Sequence, residues 1–174
     1  MLTELFWRLA AAVVAQPEVT AWLIERAQRS PYEHIEGPEG DRYMGRWWLF
    51  NPYDRETRTA RYPWSPFSVR VHHICRPDHG RELHDHPWNA RTILLRGYYL
   101  EERLSPLQAD RDLGLHESHI RVAGETASLR YGEFHRISQV CTGGVWTLFI
   151  TGRYQGTWGF WVKGRKVPYR EHLT

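Results

Sequence analysis

The sequence contains few cysteines and no long apolar run, and both absences limit what the chain can be. Cys75 and Cys141 are the only cysteines among 174 residues, too few for a disulfide framework in a chain of this length. We therefore expect a reducing compartment, the cytoplasm. No run of eighteen apolar residues occurs, so no membrane-spanning segment is predicted. Residues 1–18 contain Glu4 and Arg8 and lack a basic leading region, which favours a retained helix over a secretion signal.

Lysine and clustered positive charge are scarce as well. The chain has 23 basic and 20 acidic residues, a net charge of only +3, and Lys163 and Lys166 are its only lysines. The arginines are scattered from Arg8 to Arg170, whereas a nucleic-acid-binding surface concentrates them on one element. We expect neither a nucleic-acid partner nor a membrane partner.

Aromatic residues, in contrast, make up 14% of the chain, with nine tryptophans. Such side chains favour pleated strands, and from Arg42 onward short runs rich in Tyr, Trp, Val, Ile and Thr are broken by turn-forming residues. Regular short strands favour a sandwich or barrel over a sheet with helical crossovers. We predict a mostly β fold with strands at 42–50, 67–75, 81–86, 91–101, 118–122, 126–131, 134–140, 145–152 and 157–163.

The first forty residues have a helical pattern instead. Apolar residues from Leu2 to Val13 recur at helical spacing, and Pro17 stands where a second helix, 18–29, can begin. We expect both helices to pack their apolar faces on a sheet. Residues 1–40 are thus predicted to form a helical cap and linker, and residues 41–174 a β-barrel, together one compact domain. The segment 103–117 is expected to be a loop that could cover a pocket.

Two histidines stand two residues apart in the predicted strand 81–86. Alternate side chains of a strand point to the same face, so His84 and His86 project together while Asp85 points the other way. Two imidazoles on one strand can chelate a transition metal, but a third protein ligand must come from elsewhere. From this stretch alone, a metal site and a polar loop rim remain alternatives.

Two motifs in this part of the chain resemble those of the cupin superfamily of small double-stranded β-helix barrels. The first motif contains His-x-His, three or four residues, Glu, six residues and Gly. This chain has His84-x-His86, Ala90 at the glutamate position and Gly97 at the last position. Gly80, the candidate for the leading glycine, lies closer to the histidines than the motif requires.

The second motif is matched at every spacing. Its positions are occupied by Gly124, by Arg130 in place of proline, by Gly132 and His135, and by Gln139 in place of asparagine. The two motifs together, in order and on predicted strands, are more specific than either alone. The resemblance covers about residues 67–151 and implies a single-domain cupin-type jelly-roll barrel, with the two short N-terminal helices packed on it.

By this resemblance His84, His86 and His135 are the metal ligands, and Ala90 leaves the family's fourth ligand position empty. A three-histidine centre is similar to that of cysteine dioxygenase and of other thiol or gentisate dioxygenases. The resemblance implies an oxidoreductase of the non-haem Fe(II) dioxygenase type that acts on a small molecule, with zinc, nickel or manganese as alternative ions. The strand 145–152 lacks the Ser-x-His-x-Tyr run of the thiol dioxygenases, so we do not infer cysteine oxidation.

Two other functions remain open at this point. One is a non-catalytic cupin that binds a metal or a sugar, and the other is a metal-free cupin similar to the sugar-nucleotide epimerases, which use a histidine base. The resemblance also implies a homodimer.

Alternation along the strands identifies the residues that would line a pocket. Counted from Ala90, the inward positions include Thr92, and Trp88 is expected to wall the site. Apolar residues alternate from Trp146 to Ile150, so we place Trp146 in the pocket as well, with ordinary core packing as the alternative.

Overall fold

The fold begins with two helices that the sequence pattern predicts to within one or two residues. The computed structural model describes residues 2–37, 40–54, 56–78, 80, 82–105 and 116–172. Helix α1 is Leu2–Val14 and helix α2 is Pro17–Gln28. Pro17 lies in the first turn of α2, where its missing N–H costs no hydrogen bond. A short helix, α3, Tyr169–His172, follows the last strand and is not evident from the pattern.

Strands account for most of the remaining described residues. They are β1 Ile35–Glu36, β2 Arg42–Phe50, β3 Ser68–Ile74, β4 Leu83–His84, β5 Trp88–Arg96, β6 Tyr98–Leu104, β7 His116–Val122, β8 Thr126–Leu129, β9 His135–Val140, β10 Val145–Tyr154, β11 Gly159–Val162 and β12 Arg165–Pro168.

The strands pair in a nested order. β3 pairs with β10, β4 with β9, β5 with β8, and β6 with β7, all antiparallel. A chain that is folded back on itself in this way and then rolled up is a double-stranded β-helix, or jelly roll. The first sheet has the order β1-β2-β3-β10-β5-β8, and the second has the order β12-β11-β4-β9-β6-β7. The predicted mostly β jelly roll is therefore confirmed.

Gly97 separates β5 from β6, so the prediction of one strand over 91–101 is wrong. Gly97 has a φ of +85°, a conformation that residues with a Cβ atom rarely adopt. A Cβ at this position would lie 2.9 Å from the carbonyl oxygen of Gly144. The chain leaves the first sheet at Gly97 and enters the second, which carries Glu101 to the sheet that contains β4 and β9.

The first sheet has an outer face that the helices cover and an inner face that meets the second sheet. The outer face and the helices share a buried cluster of Ala11, Leu23, Ala27, Trp47, Val71, Ile93, Leu95 and Leu148. The inner face meets the second sheet in a cluster of Ile74, Leu94, Tyr99, Ile137 and Val145. Alternate residues of a strand point to opposite faces, so the inner positions also include Arg70 and His72 on β3, Ala90 and Thr92 on β5, and Thr147 and Phe149 on β10.

Trp146 lies on the outer face of the first sheet, and its predicted place in the pocket is wrong. Its ring stacks on that of Trp47, with 5.4 Å between centroids, and on that of His73, with 4.2 Å. Leu148, two residues further along β10, belongs to the cluster under the helices. Both faces of β10 are covered by other parts of the protein. The strand therefore has no polar, solvent-exposed face, and its alternating apolar residues do not show which set of side chains points inward.

Helix α1 contacts the sheet through a different face from the one expected. Ala11 is buried, Trp7 and Val14 pack partly against the outer cluster, and Glu4 forms an ion pair with Arg91 of β5 at 3.0 Å. More than half of each side chain is exposed at Leu2, Leu5, Phe6, Leu9 and Val13. The expectation that α1 buries this main apolar stripe on the sheet is therefore wrong.

Two further expectations concern segments at the edges of the barrel. β1 lies in the predicted linker and pairs with β2 of the barrel. Most of the predicted loop 103–117 lies outside the described residues.

Within the described ranges, no helix has both the length and the apolar character needed to cross a membrane.

Candidate metal centre

Three histidines meet where β4 and β9 lie side by side. His84 ends β4, His135 begins β9, and the two residues are direct partners in the antiparallel register. His86 follows two residues after His84 and joins them. One side-chain nitrogen from each histidine can be chosen so that all three lie within 4.8 Å of one another. The structure thus brings together the three residues that the sequence motifs select.

The spacing of the rings is compatible with a shared ion. The ring centroids of His84, His86 and His135 are 5.0 to 5.3 Å apart, and the Nε2 atoms of His86 and His135 are 2.9 Å apart. Two imidazole nitrogens bound to one metal at about 2.1 Å and roughly right angles are also about 3 Å apart. Without a metal, one of the two Nε2 atoms must carry a proton and donate it to the other, because two lone pairs at this distance repel.

Glu101 of β6 fixes the orientation of His135. Its Oε1 lies 3.0 Å from Nδ1 of His135, and its other contacts are hydrogen bonds from Arg103 and Arg121, both at 3.0 Å. A carboxylate can only accept, so His135 carries its proton on Nδ1 and directs the lone pair of Nε2 toward the other two histidines. A carboxylate behind a histidine is the arrangement that orients metal-ligating imidazoles in proteins.

Glu101 keeps its negative charge although it is only 1% exposed. Burial by itself would raise the pKa of this carboxyl group. The hydrogen bond from His135, together with the charge and the hydrogen bond of Arg103, outweighs burial and holds the pKa of Glu101 well below its usual range. The orienting group is therefore ionised at neutral pH.

The other two histidines are kept neutral by their surroundings. Burial lowers the pKa of His84 from 6.5 to about 4, and it lowers the pKa of His86 well below the ordinary value. The ring of His86 stacks on Trp88, with 4.9 Å between centroids, and meets the edge of Phe149 at 5.9 Å. A neutral imidazole offers its lone pair to a metal without first losing a proton.

Asp85, between the two histidines, anchors the segment that carries them. It is fully buried and points away from the cluster, as strand alternation predicts. Its carboxylate accepts hydrogen bonds from the backbone N–H of Gly159 at 2.7 Å and from Nζ of Lys166 at 2.5 Å. Its own N–H donates to the carbonyl oxygen of Gly159 at 3.0 Å. β4 has only two residues, so these bonds to β11 and β12 hold His84 and His86 in place.

Asp78 lies on the far side of His84. Its Oδ2 is 3.9 Å from Nδ1 of His84, too long for a hydrogen bond. The same carboxylate accepts hydrogen bonds from the backbone N–H of Ile137 at 2.6 Å and from the hydroxyl of Tyr43. Asp78 therefore adds negative charge beside the cluster and is itself held by two donors.

The predicted pocket residues of β5 lie on the inner face. Trp88 stacks on His86, and Ala90 packs with Trp88, Leu129 and Phe149. The space that a glutamate at position 90 would use is thus bordered by aromatic rings. Thr92 is also buried and follows on the same face.

The adjacent pair of histidines on β3 divides between the two faces. His72 is buried, and its ring stacks on Phe149 with 4.9 Å between centroids. Within the described ranges its Nε2 has no hydrogen-bond partner. His73 faces outward and its Nε2 lies 2.9 Å from the carbonyl oxygen of Gly143. His72 is not one of the three clustered histidines, and it lines the interior beside them.

Sequence reasoning misses two charged residues of this interior, Glu101 and Arg70. Glu101 stands at the end of a predicted strand, where its strand partners cannot be read from spacing. Arg70 is an inner-face residue of β3 that is only 3% exposed. The alternation of β3 would have indicated its direction, since Arg70 and His72 share parity, but an arginine is normally assigned to the surface.

Fold and cluster together define a class: a jelly-roll protein whose barrel contains a three-histidine cluster backed by a carboxylate. No protein-family model matches the sequence, and no curated protein matches it. Solved structures that resemble the chain are cupin-family structures.

Three of these structures illustrate the extent of the likeness. A crystal structure of FeII HppE is 12% identical, with a TM-score of 0.47, over 68% of this chain and 55% of its own. Oxalate decarboxylase from Lactobacillus farciminis, in a formate complex, is 15% identical, with a TM-score of 0.49, over 83% and 34%. Recombinant oxalate oxidase in complex with glycolate is 18% identical, with a TM-score of 0.43, over 55% and 46%. The aligned part is about a third to about half of those chains, and likeness at this level says nothing of substrate or metal.

The partly buried His84 predicts how the stability of chelator-treated protein depends on pH. The unfolded chain takes up a proton at His84 near pH 6.5, whereas the folded protein does so only near pH 4. Between these values the unfolded state binds more protons, so the free energy of unfolding falls as the pH falls, by up to about 1.4 kcal/mol per pH unit for this group. Urea unfolding at several pH values from 7.5 to about 4.5 measures the slope. His84→Asn should make it shallower, and an unchanged slope would contradict the burial of a neutral imidazole.

Proposed function

We propose that this chain is a metal-dependent enzyme in which His84, His86 and His135 hold one divalent transition metal ion. The observation that carries the proposal is the convergence of three imidazoles, one of them oriented by the buried carboxylate of Glu101. A polar loop rim, the alternative left open by the sequence, would need neither the convergence of these rings nor an ionised carboxylate behind the buried His135.

Iron is favoured among the candidate ions by the resemblance to three-histidine dioxygenases, and the donor set is compatible with it. Imidazole suits iron, zinc, nickel and copper, and three neutral imidazoles leave the 2+ charge of the ion uncompensated, which favours an anion as a further ligand. Three protein ligands also leave open coordination positions, and Fe(II) in such a site supplies the chemistry of dioxygen activation. We therefore propose a dioxygen-dependent oxidation of a small molecule as the activity, with zinc, nickel or manganese as alternative ions.

The residues around the cluster have separate tasks in this proposal. Glu101 keeps the proton of His135 on Nδ1, so that Nε2 stays available as a donor. Trp88 and Phe149 cover His86 and exclude water from one side of the cluster. Asp85 keeps the short β4 segment in register with β11 and β12. Because Glu101 acts through His135, it is a positioning residue.

We expect protein purified without a histidine tag to contain about one transition metal ion per chain. His86→Ala should abolish stoichiometric metal, because it removes one of three ligands. Glu101→Gln should weaken metal affinity by roughly tenfold or more, as loss of a carboxylate behind a ligating histidine does. Elemental analysis and competition with a chromogenic chelator measure both effects, and His119→Ala on β7, outside the cluster, is the matched control. Substoichiometric metal that is unchanged in His86→Ala would contradict the proposal.

We expect iron-loaded protein to consume dioxygen with at least one member of a panel of thiols, phenolic acids and diketones. Consumption should require His86 and should survive His119→Ala, since only the former residue belongs to the cluster. An oxygen electrode records the rate. A protein that binds stoichiometric iron but consumes no dioxygen with any of these compounds would be a binding protein rather than a dioxygenase.

A further inference from the structure

Arg70 of β3 is a buried cation whose nitrogens are incompletely paired. The residue is 3% exposed and points to the inner face of the first sheet. Its Nε and one terminal nitrogen, Nη2, are buried and have no hydrogen-bond partner among the described residues. The guanidinium carbon lies 5.1 to 5.9 Å from the centroids of five rings, those of Tyr32, Trp48, Tyr53, Trp88 and Phe149.

The five rings around Arg70, which we call the cage, compensate for only part of the free-energy cost of burying this charge. A guanidinium keeps its proton at any ordinary pH, and a buried charge without a hydrogen-bonded partner is strongly unfavourable. The rings attract the cation through their faces, but they offer no acceptor for the in-plane N–H groups. A group of this kind is retained at such a cost where it binds something.

The surroundings of Arg70 contain further unpaired polar atoms. Four further atoms are buried and have no hydrogen-bond partner in the part of the chain that the structure describes: Nε1 of Trp88, Nε2 of His72, and the hydroxyl oxygens of Thr147 and Thr151. By strand alternation all four side chains face the interior from the first sheet, as Arg70 does. The indole N–H can only donate, the hydroxyls can donate, and none of these groups is acidic. The set is suited to an anion.

The cage adjoins the histidine cluster. Trp88 and Phe149 each contact Arg70 on one side and His86 on the other. Tyr53, another ring of the cage, also lines a cleft of about 300 Å³ together with Ser68 and Tyr154. The rings around Arg70 therefore border both this cleft and the proposed metal ligands.

We propose that Arg70 binds the carboxylate of a small aromatic or apolar acid whose body lies among the rings of the cage. Two parallel N–H groups of a guanidinium match the two oxygens of a carboxylate, and Trp48, Trp88 and Phe149 offer flat apolar surfaces. The assignment of this acid as a substrate rests on the proposed function, because its other end would then face the metal. Binding of the carboxylate itself requires only Arg70 and the cage.

Benzoate is a suitable probe, and benzamide is its neutral counterpart of nearly the same shape. Titration of chelator-treated protein should quench or shift tryptophan fluorescence, because Trp48 and Trp88 form two walls of the cage. We expect benzoate to bind at least about tenfold more weakly to Arg70→Met than to the unaltered protein, the effect of losing one charge-assisted hydrogen-bonded pair. Benzamide should bind weakly to both, and Arg91→Met, which alters an arginine on the outer face, should leave benzoate binding unchanged.

Thermal unfolding separates this role from a purely structural one. Replacing an unpaired buried charge by an apolar side chain of similar length should raise the Tm of the chelator-treated protein, and benzoate should raise the Tm of the unaltered protein but not of Arg70→Met. A lower Tm in Arg70→Met, equal binding of benzoate by both proteins, or tighter binding of inorganic phosphate than of benzoate would overturn the proposal. Metal content is measured in parallel. Loss of benzoate binding with metal retained in Arg70→Met supports the carboxylate site, whereas absence of metal from all variants rejects the proposed function alone.

A second inference rests on the exposed stripe of helix α1. Leu2, Phe6, Leu9 and Val13 follow one another at spacings of four, three and four residues, and each is more than half exposed. This spacing is the seam along which two helices pack. The opposite face of α1 is already packed on the sheet through Trp7, Ala11 and Val14, and a helix that is apolar on all sides is normally covered.

We propose that a second copy of this chain covers the stripe, with the α1 helices paired. Together with exposed Leu5 and Trp22, the apolar side chains amount to on the order of 700 Å², close to the ~800 Å² that each partner contributes to a standard interface. A membrane surface is less suitable, because interfacial helices are rich in basic residues on their polar face and α1 contains a single one, Arg8.

Sedimentation velocity across a range of concentrations tests this interface. We expect a dimer in the unaltered protein and a monomer in the double variant Phe6→Glu/Leu9→Glu, which changes only exposed positions. The matched control is Trp64→Glu/Ile120→Glu, at two exposed apolar residues elsewhere, and it should remain dimeric. A monomer at every concentration, a dimer unaffected by the α1 variant, or a monomer that sediments with phosphatidylglycerol vesicles would overturn the proposal.

Discussion

The hydrogen bond between Glu101 and His135 is the contact on which the rest of the site depends. It joins β6 to β9 inside the barrel and settles which nitrogen of His135 carries the proton. Because β9 pairs with β4 as well, the same strand holds His84 directly opposite His135. The nested pairing of the jelly roll thus brings three distant stretches of sequence, those of His84, Glu101 and His135, to one site.

The interior shows a conflict between stability and binding. The inner cluster of Ile74, Leu94, Tyr99, Ile137 and Val145 at one end of the barrel is an ordinary apolar core. Further along the same strands, Arg70, His72, Thr147 and Thr151 place unpaired polar atoms where apolar side chains would stabilise the fold. Buried polar groups without partners are uncommon in native proteins, and each one calls for an explanation. A polar ligand that completes these hydrogen bonds accounts for several of them at once.

Local spacing in the sequence is enough to find the three histidines, because both cupin motifs fix their members within short stretches. The sequence also predicts the inner direction of Trp88, Ala90 and Thr92, since the first cupin motif supplies a reference point at Ala90. It fails for Trp146, because both faces of β10 are covered and the apolar alternation fits either direction. The sequence does not reveal that Glu101 orients His135, because this contact depends on the pairing of two strands whose contacting residues are more than thirty positions apart.

In the helical cap, too, the sequence pattern does not show which face of an element packs against its neighbour. The periodicity of α1 correctly predicts a helix, but the helix has two apolar stripes, and the narrower one, around Ala11, is the one that packs on the sheet. The choice between them depends on the shape of the surface that the helix meets, and small residues allow the closer approach. Arg70 presents a similar difficulty, since nothing in a local stretch reveals that five rings from three strands and two loops surround one guanidinium.

X-ray absorption at the iron edge of the iron-loaded protein tests the central claim most directly, because it reports the atoms bound to the ion. The account predicts the scattering pattern of three imidazole ligands, with oxygen atoms in the remaining positions, and loss of one imidazole contribution in His86→Ala. A spectrum without imidazole scattering, or one that is identical in the unaltered protein and in His86→Ala, would contradict it.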